Sequence, residues 1–350
     1  MVYYPEVGSK IGNYTLLQPL GDGATGLVFK AVNNVTHTEC VMKIIFLKNA
    51  FFRREYEQEV NSLKIVRGYN IVKMLDHFIY KTMGVVVLEL LAMDLLDCTE
   101  NQKLSTDNIK TIFLQICHAV KYIHSYNIAH LDIKPENIFM NDINSIKLGD
   151  FGSAFKWSKE NPYKIGKTGT TFYSAPEVKA NGSSYSPAEC DIWSLGVLLH
   201  VLCTGYWPYS ANSEQELRRK VNTGETRIII DKLPQDEDLI NLISDMLEYN
   251  PNDRPSIDEI LSSTWLKDVD FEISIKPISE SSSEERIPLF KPASSAPELT
   301  ELPIIKIPSS FESERSKNGS KMYKTSPIDK RRLKSRKKQI LSRISKIIKI

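Results

Sequence analysis

Hydrophobic and polar positions near the start of the chain alternate in short runs punctuated by Gly, Asn and charged residues, the period-two signature of strands. Residues 14–20 (Tyr-Thr-Leu-Leu-Gln-Pro-Leu) predict one strand, and 28–31, 40–45, 72–79 and 84–90 predict four more. Residues 53–66 predict a helix between the third and fourth of these. Further on the period lengthens: Ile109, Ile112, Phe113, Ile116, Ala119, Val120 and Ile123 share one helical face, predicting a helix over 108–126. A short strand follows at 146–149. Residues 191–197 (Asp-Ile-Trp-Ser-Leu-Gly-Val) open a nearly all-apolar helix, which suits a buried central position. Strand and helix patterns are both present, as in an α+β chain. No internal repeat is evident.

Beyond residue 270 this periodicity stops. The stretch 281–285 (Ser-Ser-Ser-Glu-Glu) and several prolines predict a disordered linker rich in possible phosphosites. Near the end, Leu333, Ile340, Leu341, Ile344, Ile347 and Ile348 suit one helix face with basic residues opposite. Charge separates the same two regions. Residues 1–270 carry 27 Lys/Arg against 34 Asp/Glu, a net of −7, whereas 271–350 carry 18 against 9, a net of +9. The tail is open to three readings: a nuclear import signal at 330–338, a helix for anionic membranes, or a calmodulin-binding or autoinhibitory segment. A plain solvated basic tail competes with them, and nuclear import is the one favoured. No aromatic interleaving points to nucleic acid.

Five scattered cysteines without a C-x-x-C pair argue against a disulfide framework or zinc site. The first ten residues lack an apolar signal core. The apolar stretches at 85–91 and 193–203 are too short or too interrupted to span a bilayer. A soluble intracellular protein, in cytoplasm or nucleus, is expected, and a monomer.

Candidate chemistry concentrates in residues 130–137 (His-Leu-Asp-Ile-Lys-Pro-Glu-Asn). Asp132 can orient a hydroxyl, Lys134 can meet phosphate charge and Asn137 can hold a divalent cation. Upstream, Gly21-Asp22-Gly23-Ala24-Thr25-Gly26 spaces three glycines so that backbone N–H groups can approach phosphates. A plain hairpin turn explains the same residues. A dinucleotide-binding reading fails, because a strand and not a helix follows. Lys43, in an apolar run, reads either as an edge lysine facing solvent or as a phosphate contact. Asp150-Phe151-Gly152 ends the strand at 146–149, and residues 169–177 read Gly-Thr-Thr-Phe-Tyr-Ser-Ala-Pro-Glu.

In this order these motifs resemble those of eukaryotic protein kinases of the Ser/Thr type, most like the calmodulin-dependent and AMP-activated kinase group. The resemblance covers about residues 14–268 and implies a bilobal protein-kinase fold. A small β-rich lobe would span about 14–91, a large helical lobe about 92–268, and a disordered basic tail 269–350. It implies ATP and Mg²⁺ as cofactors and protein substrates with Ser or Thr acceptors. Asp132 would be the base, Lys134 a charge stabiliser, and Thr170 would bond both. Lys43 would hold the α- and β-phosphates, paired with Glu59, while Glu55 and Glu57 would form a solvated face. Leu20, the glycine stretch with Asp22, Ala24 and Thr25, and Val28 and Val41 would cover the nucleotide, with Phe139 beneath. Leu88 would border the inner pocket, the backbone at Glu89 and Leu91 would meet adenine, and Asp94 would meet ribose. Asn137 and Asp150 would hold the metal. Glu177 would pair with Arg254, and Asp191 would tie down the catalytic loop. Leu63, Met74, His130 and Phe151 match the stacked column of active kinases, though each serves equally as ordinary core.

Two departures matter. Leu131 stands where the family has Arg, and Gly166 occupies the usual phospho-acceptor position. Both point to activity without phosphorylation of the 153–171 loop. The alternatives are a pseudokinase scaffold and a metabolite kinase. The first normally lacks one of Lys43, Asp132, Asn137 or Asp150, and the second does not need a peptide-docking 169–177 segment. Glu136 and Asp94 could attract arginines ahead of the acceptor.

Overall fold

The computed structural model describes residues 4–22, 26–166, 168–178, 184–209, 214–223 and 230–269. Gly23, Ala24, Thr25 and the tail lie outside them. The upper lobe begins with strands β1 (Lys10–Ile11), β2 (Tyr14–Asp22), β3 (Gly26–Asn33) and β4 (Glu39–Phe46). Helix α1 (Ala50–Ile65) comes next, then β5 (Met74–Tyr80) and β6 (Met83–Glu89). The strands form one antiparallel sheet in the order β1-β2-β3-β4-β6-β5. Strand alternation divides its side chains: Leu16, Ala31, Met42, Ile44, Val85 and Val87 bury one face, while Ile45 and Val86 meet Tyr56 and Val60 of α1 on the other. The helix lies close against the sheet because Gly84 has no side chain; a Cβ there would come within 2.5 Å of the Tyr56 ring. It starts three residues before the expected Arg53 because the Asn49 side chain accepts the Phe52 N–H at 3.1 Å.

The lower lobe contains β7 (Met93–Asp94), α2 (Leu95–Asn101), α3 (Thr106–Ser125), β8 (Ile128–Ala129), β9 (Ile138–Met140) and β10 (Ile146–Leu148). Short strands β11 (Phe155–Lys156), β12 (Lys164–Ile165) and β13 (Ser184–Tyr185) precede α4 (Pro187–Thr204), α5 (Glu214–Thr223), α6 (Glu237–Met246) and α7 (Ile257–Leu261). The seven apolar positions expected on one face of α3 are all buried. Helix α4, with Pro187 at its first position and left-handed Gly205 as its C-cap, buries most of its circumference, as its composition demands. Gly196 admits Met246 and Leu247, each 2.9 Å from where a Cβ would stand. Helix α7 opens on a reciprocal capping box between Ser256 and Glu259.

Arg254 pins the activation segment (residues 150–177) to this core. Its guanidinium grips Glu177 bidentately at 2.6 and 2.9 Å, donates to the Glu189 and Glu248 carbonyls, and lies over the Trp193 ring. Arg254→Met leaves the Glu177 carboxylate shielded and unpaired, so a stability loss of about 3–5 kcal/mol is expected. Chemical denaturation measures it, and a loss within experimental error would show the pair to be dispensable.

Candidate active site

Lys43 lies at the middle of β4, hydrogen-bonded between β3 and β6, where it opposes Val28 on one side and Val86 on the other. It is therefore no edge residue. Alternation puts Val41 and Lys43 on the face opposite buried Met42 and Ile44, and cross-strand pairing places Val28 beside Lys43 and Leu88 beside Val41. The ammonium bonds Glu59 of α1 and, at 2.6 Å, Oδ1 of Asp150 just beyond β10. Burial opposes the charge on Lys43, but Asp150 and Glu59 outweigh it and keep the lysine protonated. Burial likewise opposes ionisation of Asp150, yet the attraction of Lys43 and its hydrogen bond hold that carboxyl at about 2.

Asp150 adopts a left-handed backbone, φ 60° and ψ 69°, between β10 and the 3-10 turn Phe151–Ser153. Phe151 is fully buried and meets the His130 ring edge-on at 4.9 Å. His130 Nε2 bonds the Gly149 carbonyl at 2.9 Å. The loop carrying His130 is fixed from α4. Asp191, itself inaccessible, accepts the His130 N–H at 2.8 Å and the Leu131 N–H at 2.7 Å, and its Oδ2 also meets His124 Nε2 at 2.9 Å.

Four groups converge on Asp132. Oδ1 accepts the Thr170 N–H at 2.8 Å and the Thr170 hydroxyl at 2.7 Å; Oδ2 accepts Lys134 Nζ at 2.7 Å and Asn137 Nδ2 at 3.0 Å. Lys134 Nζ also donates to Thr170 Oγ1 at 2.7 Å. Thr170 reaches this position because Gly169 passes close to the loop: φ is +72°, and a Cβ there would stand 2.3 Å from the Leu131 carbonyl. Asn137 Nδ2 is spent on Asp132, and the Asn137 carbonyl accepts the Gly149 N–H at 2.9 Å, one residue before Asp150. Asn137 Oδ1 and the ionised Asp150 are hard oxygen donors of the kind Mg²⁺ takes, which leaves room for waters and phosphate oxygens. Among the described residues, no group of three or more His, Cys, Asp or Glu forms a protein-only metal cage.

The structure revises several expectations. Leu131 points its side chain into the lower core, 6% exposed, from a left-handed backbone with φ 62°. The Glu89 N–H donates to the Lys73 carbonyl. Asp94 caps α2, its Oδ1 accepting the Asp97 N–H at 2.8 Å. Leu20 is 47% exposed, Leu91 and Phe139 are half-buried, and Gly21 and Asp22 extend β2 beyond its expected end. Glu57 is exposed as expected, but Glu55 is not on a solvated face. It lies one turn before Glu59, and its Oε2 is buried without a hydrogen-bond partner. The four-residue spacing from Glu59 was the signal that placed it there.

A lysine held over two hard-oxygen donors, beside an aspartate engaged on both oxygens, defines a two-lobed site built for phosphoryl groups. The chain belongs to the protein kinase family: the protein kinase domain matches residues 14–266, and the observed architecture is the protein-kinase fold. Similar curated proteins include the carbon catabolite-derepressing protein kinases of Candida glabrata and Saccharomyces cerevisiae. Each is 32% identical over 74% of this chain, covering 42% and 41% of those proteins. CBL-interacting serine/threonine-protein kinase 9 of Arabidopsis thaliana is 32% identical over 75% of the chain and 60% of its own length. The chain thus spans less than two thirds of the length of each of these relatives.

Burial pushes the Glu55 carboxyl up to about 7, against the attraction of Lys43. A folded pKa above the ordinary value of 4.5 means that the ionised form costs stability, fully above about 7 and not at all well below 4.5. Glu55→Gln should therefore stabilise the protein more at about pH 8 than at about pH 5. Denaturation midpoints compare the two; an equal gain at both would sink this account.

Proposed function

We propose that this chain is an ATP-dependent serine/threonine protein kinase that needs no phosphate on its activation segment. The observation that carries the reading is the fourfold engagement of Asp132, which aims a carboxylate between Lys134 and Thr170. Asp132 orients the acceptor hydroxyl and takes its proton as the hydroxyl oxygen attacks the γ-phosphorus in line and the β–γ bridging bond breaks. Lys134 compensates charge on the moving phosphoryl group, and Lys43, anchored by Glu59, holds the α- and β-phosphates. Asn137 and Asp150 would hold Mg²⁺, which supplies charge compensation on the phosphate oxygens. Val28, Val41 and Phe139 enclose the base. Positioning and fixed charge carry the rate. The similar proteins are named as protein kinases, one of them as serine/threonine-specific.

Independence from phosphate rests on what orders the activation segment. Strand β12 pairs with β13, and the Tyr185 hydroxyl donates to the Gly166 carbonyl at 3.0 Å. Strand β11 pairs with β8, and Lys164 Nζ reaches the Ser153 carbonyl at 3.4 Å. With Leu131 packed in the core, the loop offers no guanidinium to a phosphate there. The competing reading, an ATP-binding scaffold, has no missing group to support it, since Lys43, Asp132, Asn137 and Asp150 are all present. We assign the basic tail to nuclear import through residues 330–338, on composition alone. A fluorescent fusion of residues 321–350 spread evenly through the cell would refute that.

Peptide phosphorylation with ATP·Mg²⁺ tests the main reading. Wild type made in bacteria should transfer phosphate to Ser/Thr peptides equally before and after phosphatase treatment. Asp132→Asn should lower kcat by about 10²–10³ or more. Loss of wild-type activity on phosphatase treatment would overturn phosphate independence, and ATP binding without transfer would favour the scaffold.

A further inference from the structure

Gly149 stands between β10 and Asp150, and its backbone does not explain the choice of glycine, because its φ lies outside the positive region. Crowding does. A Cβ there would stand 2.7 Å from Val72 Cγ2 and 3.0 and 3.1 Å from Phe139 Cε2 and Cδ2. One edge of the Phe139 ring and one Val72 methyl therefore lie in the room that a side chain would fill. The glycine cannot draw back from them. Its N–H donates to the Asn137 carbonyl at 2.9 Å, and its own carbonyl accepts from His130 Nε2 at 2.9 Å.

Phe139 is the middle residue of β9. Its neighbours Ile138 and Met140 are buried in the lower core, so strand alternation turns the Phe139 side chain the other way, where it is half-buried. Two residues after Asn137 and packed over the residue before Asp150, the ring borders the cleft. Across the neighbouring strands it opposes Asp94 of β7 and Lys147 of β10. Both spend their polar heads elsewhere. Asp94 caps α2, and Lys147 Nζ bonds the two Glu89 oxygens at 2.7 and 2.8 Å, joining the lower lobe to the last residue of β6. Val72, by contrast, is only 4% exposed, and the Leu148 carbonyl holds its N–H at 3.0 Å. Of the two side chains that crowd position 149, Phe139 is the one with open space to move into.

We infer that Gly149 is a positioning residue for the nucleotide base: by carrying no side chain it seats Phe139 low in the cleft, and the seated ring is an aromatic floor on which the base stacks. A ring offers the base a π-face, which an aliphatic floor does not. A methyl group at position 149 would lift the ring into the volume of the base. Asn137, His130 and Asp150 would keep their places, because the bonds that hold them use the backbone of residue 149 and not its side chain. The base and the phosphates are thus governed by neighbouring residues acting separately. The inference deepens the kinase reading proposed above and rests on it.

Titration of the full chain with a ribose-labelled fluorescent ADP, in the presence of Mg²⁺, tests it. Phe139→Ala should raise Kd by about five- to a hundredfold, the range for losing one stacked base. Phe139→Leu keeps an apolar floor and so guards against loss of fold; it should raise Kd by about two- to tenfold. Gly149→Ala should weaken binding by a factor between these two. In the Phe139→Ala background, where no ring remains to be lifted, Gly149→Ala should have no further effect beyond about twofold. The KM for ATP should follow Kd, while single-turnover transfer at saturating ATP stays within about twofold of wild type in Gly149→Ala. Unchanged affinity in folded Phe139→Leu or Gly149→Ala would overturn the floor. A loss from Gly149→Ala that persists without the ring, or that slows transfer at saturation, would show residue 149 acting through Asp150 and overturn the inference equally. Failure of wild type to bind the analogue would instead overturn the kinase reading.

Discussion

A single buried carboxylate holds the lower half of the site in place. Asp191 is inaccessible to solvent, and three donors compensate its charge: the backbone N–H groups of His130 and Leu131 and the ring of His124. Burying a carboxylate is costly unless such donors surround it, so the loop can hardly leave without exposing an unpaired charge in the core. Because Asp191 sits in the first turns of α4, the most buried helix, the loop inherits the rigidity of that packing. Asp132, Lys134 and Asn137 are then held to fixed positions, which electrostatic preorganisation requires.

Charge links this rigid base to the upper sheet. Lys43 draws together Glu59 of α1 and Asp150 of the lower lobe, and α1 packs against the turn that follows Asp150. The arrangement is a closed one, with Phe151 buried against His130. It also concentrates three carboxylates, Glu55, Glu59 and Asp150, around one lysine. The site tolerates this because burial keeps Glu55 hard to ionise. A nucleotide with its metal would redistribute these charges.

Leu131 changes what the loop can offer the activation segment. An arginine at this position would offer a fixed cation to the activation segment. Leucine instead fills the core beneath the loop, and backbone pairing between β12 and β13, with the Tyr185 hydroxyl, orders the segment. The left-handed backbone at Leu131 and the glycine at 169 are two sides of one close approach, since the Leu131 carbonyl occupies the space a Cβ on residue 169 would need.

The sequence determined the elements and the chemical inventory. Period-two runs marked the strands and period-3.6 runs marked α3 and α4, because burial on one face imposes those periods on any chain. The ordered spacing of Gly21, Lys43, Glu59, Asp132, Asn137, Asp150 and Thr170 declared the family, since phosphoryl transfer needs those groups at fixed intervals along a known fold. Tertiary structure decided what spacing cannot encode, namely which side chains meet across distant strands. It placed Lys43 in an interior strand, gave Asp94 the cap of α2, and half-buried Glu55 where a solvated face was expected. It also joined Lys147 to Glu89, fifty-eight positions apart in the chain. Local periodicity reports a residue's own environment, whereas an ion pair between lobes depends on how two separately folded layers are brought into register, and only the packed molecule contains that information.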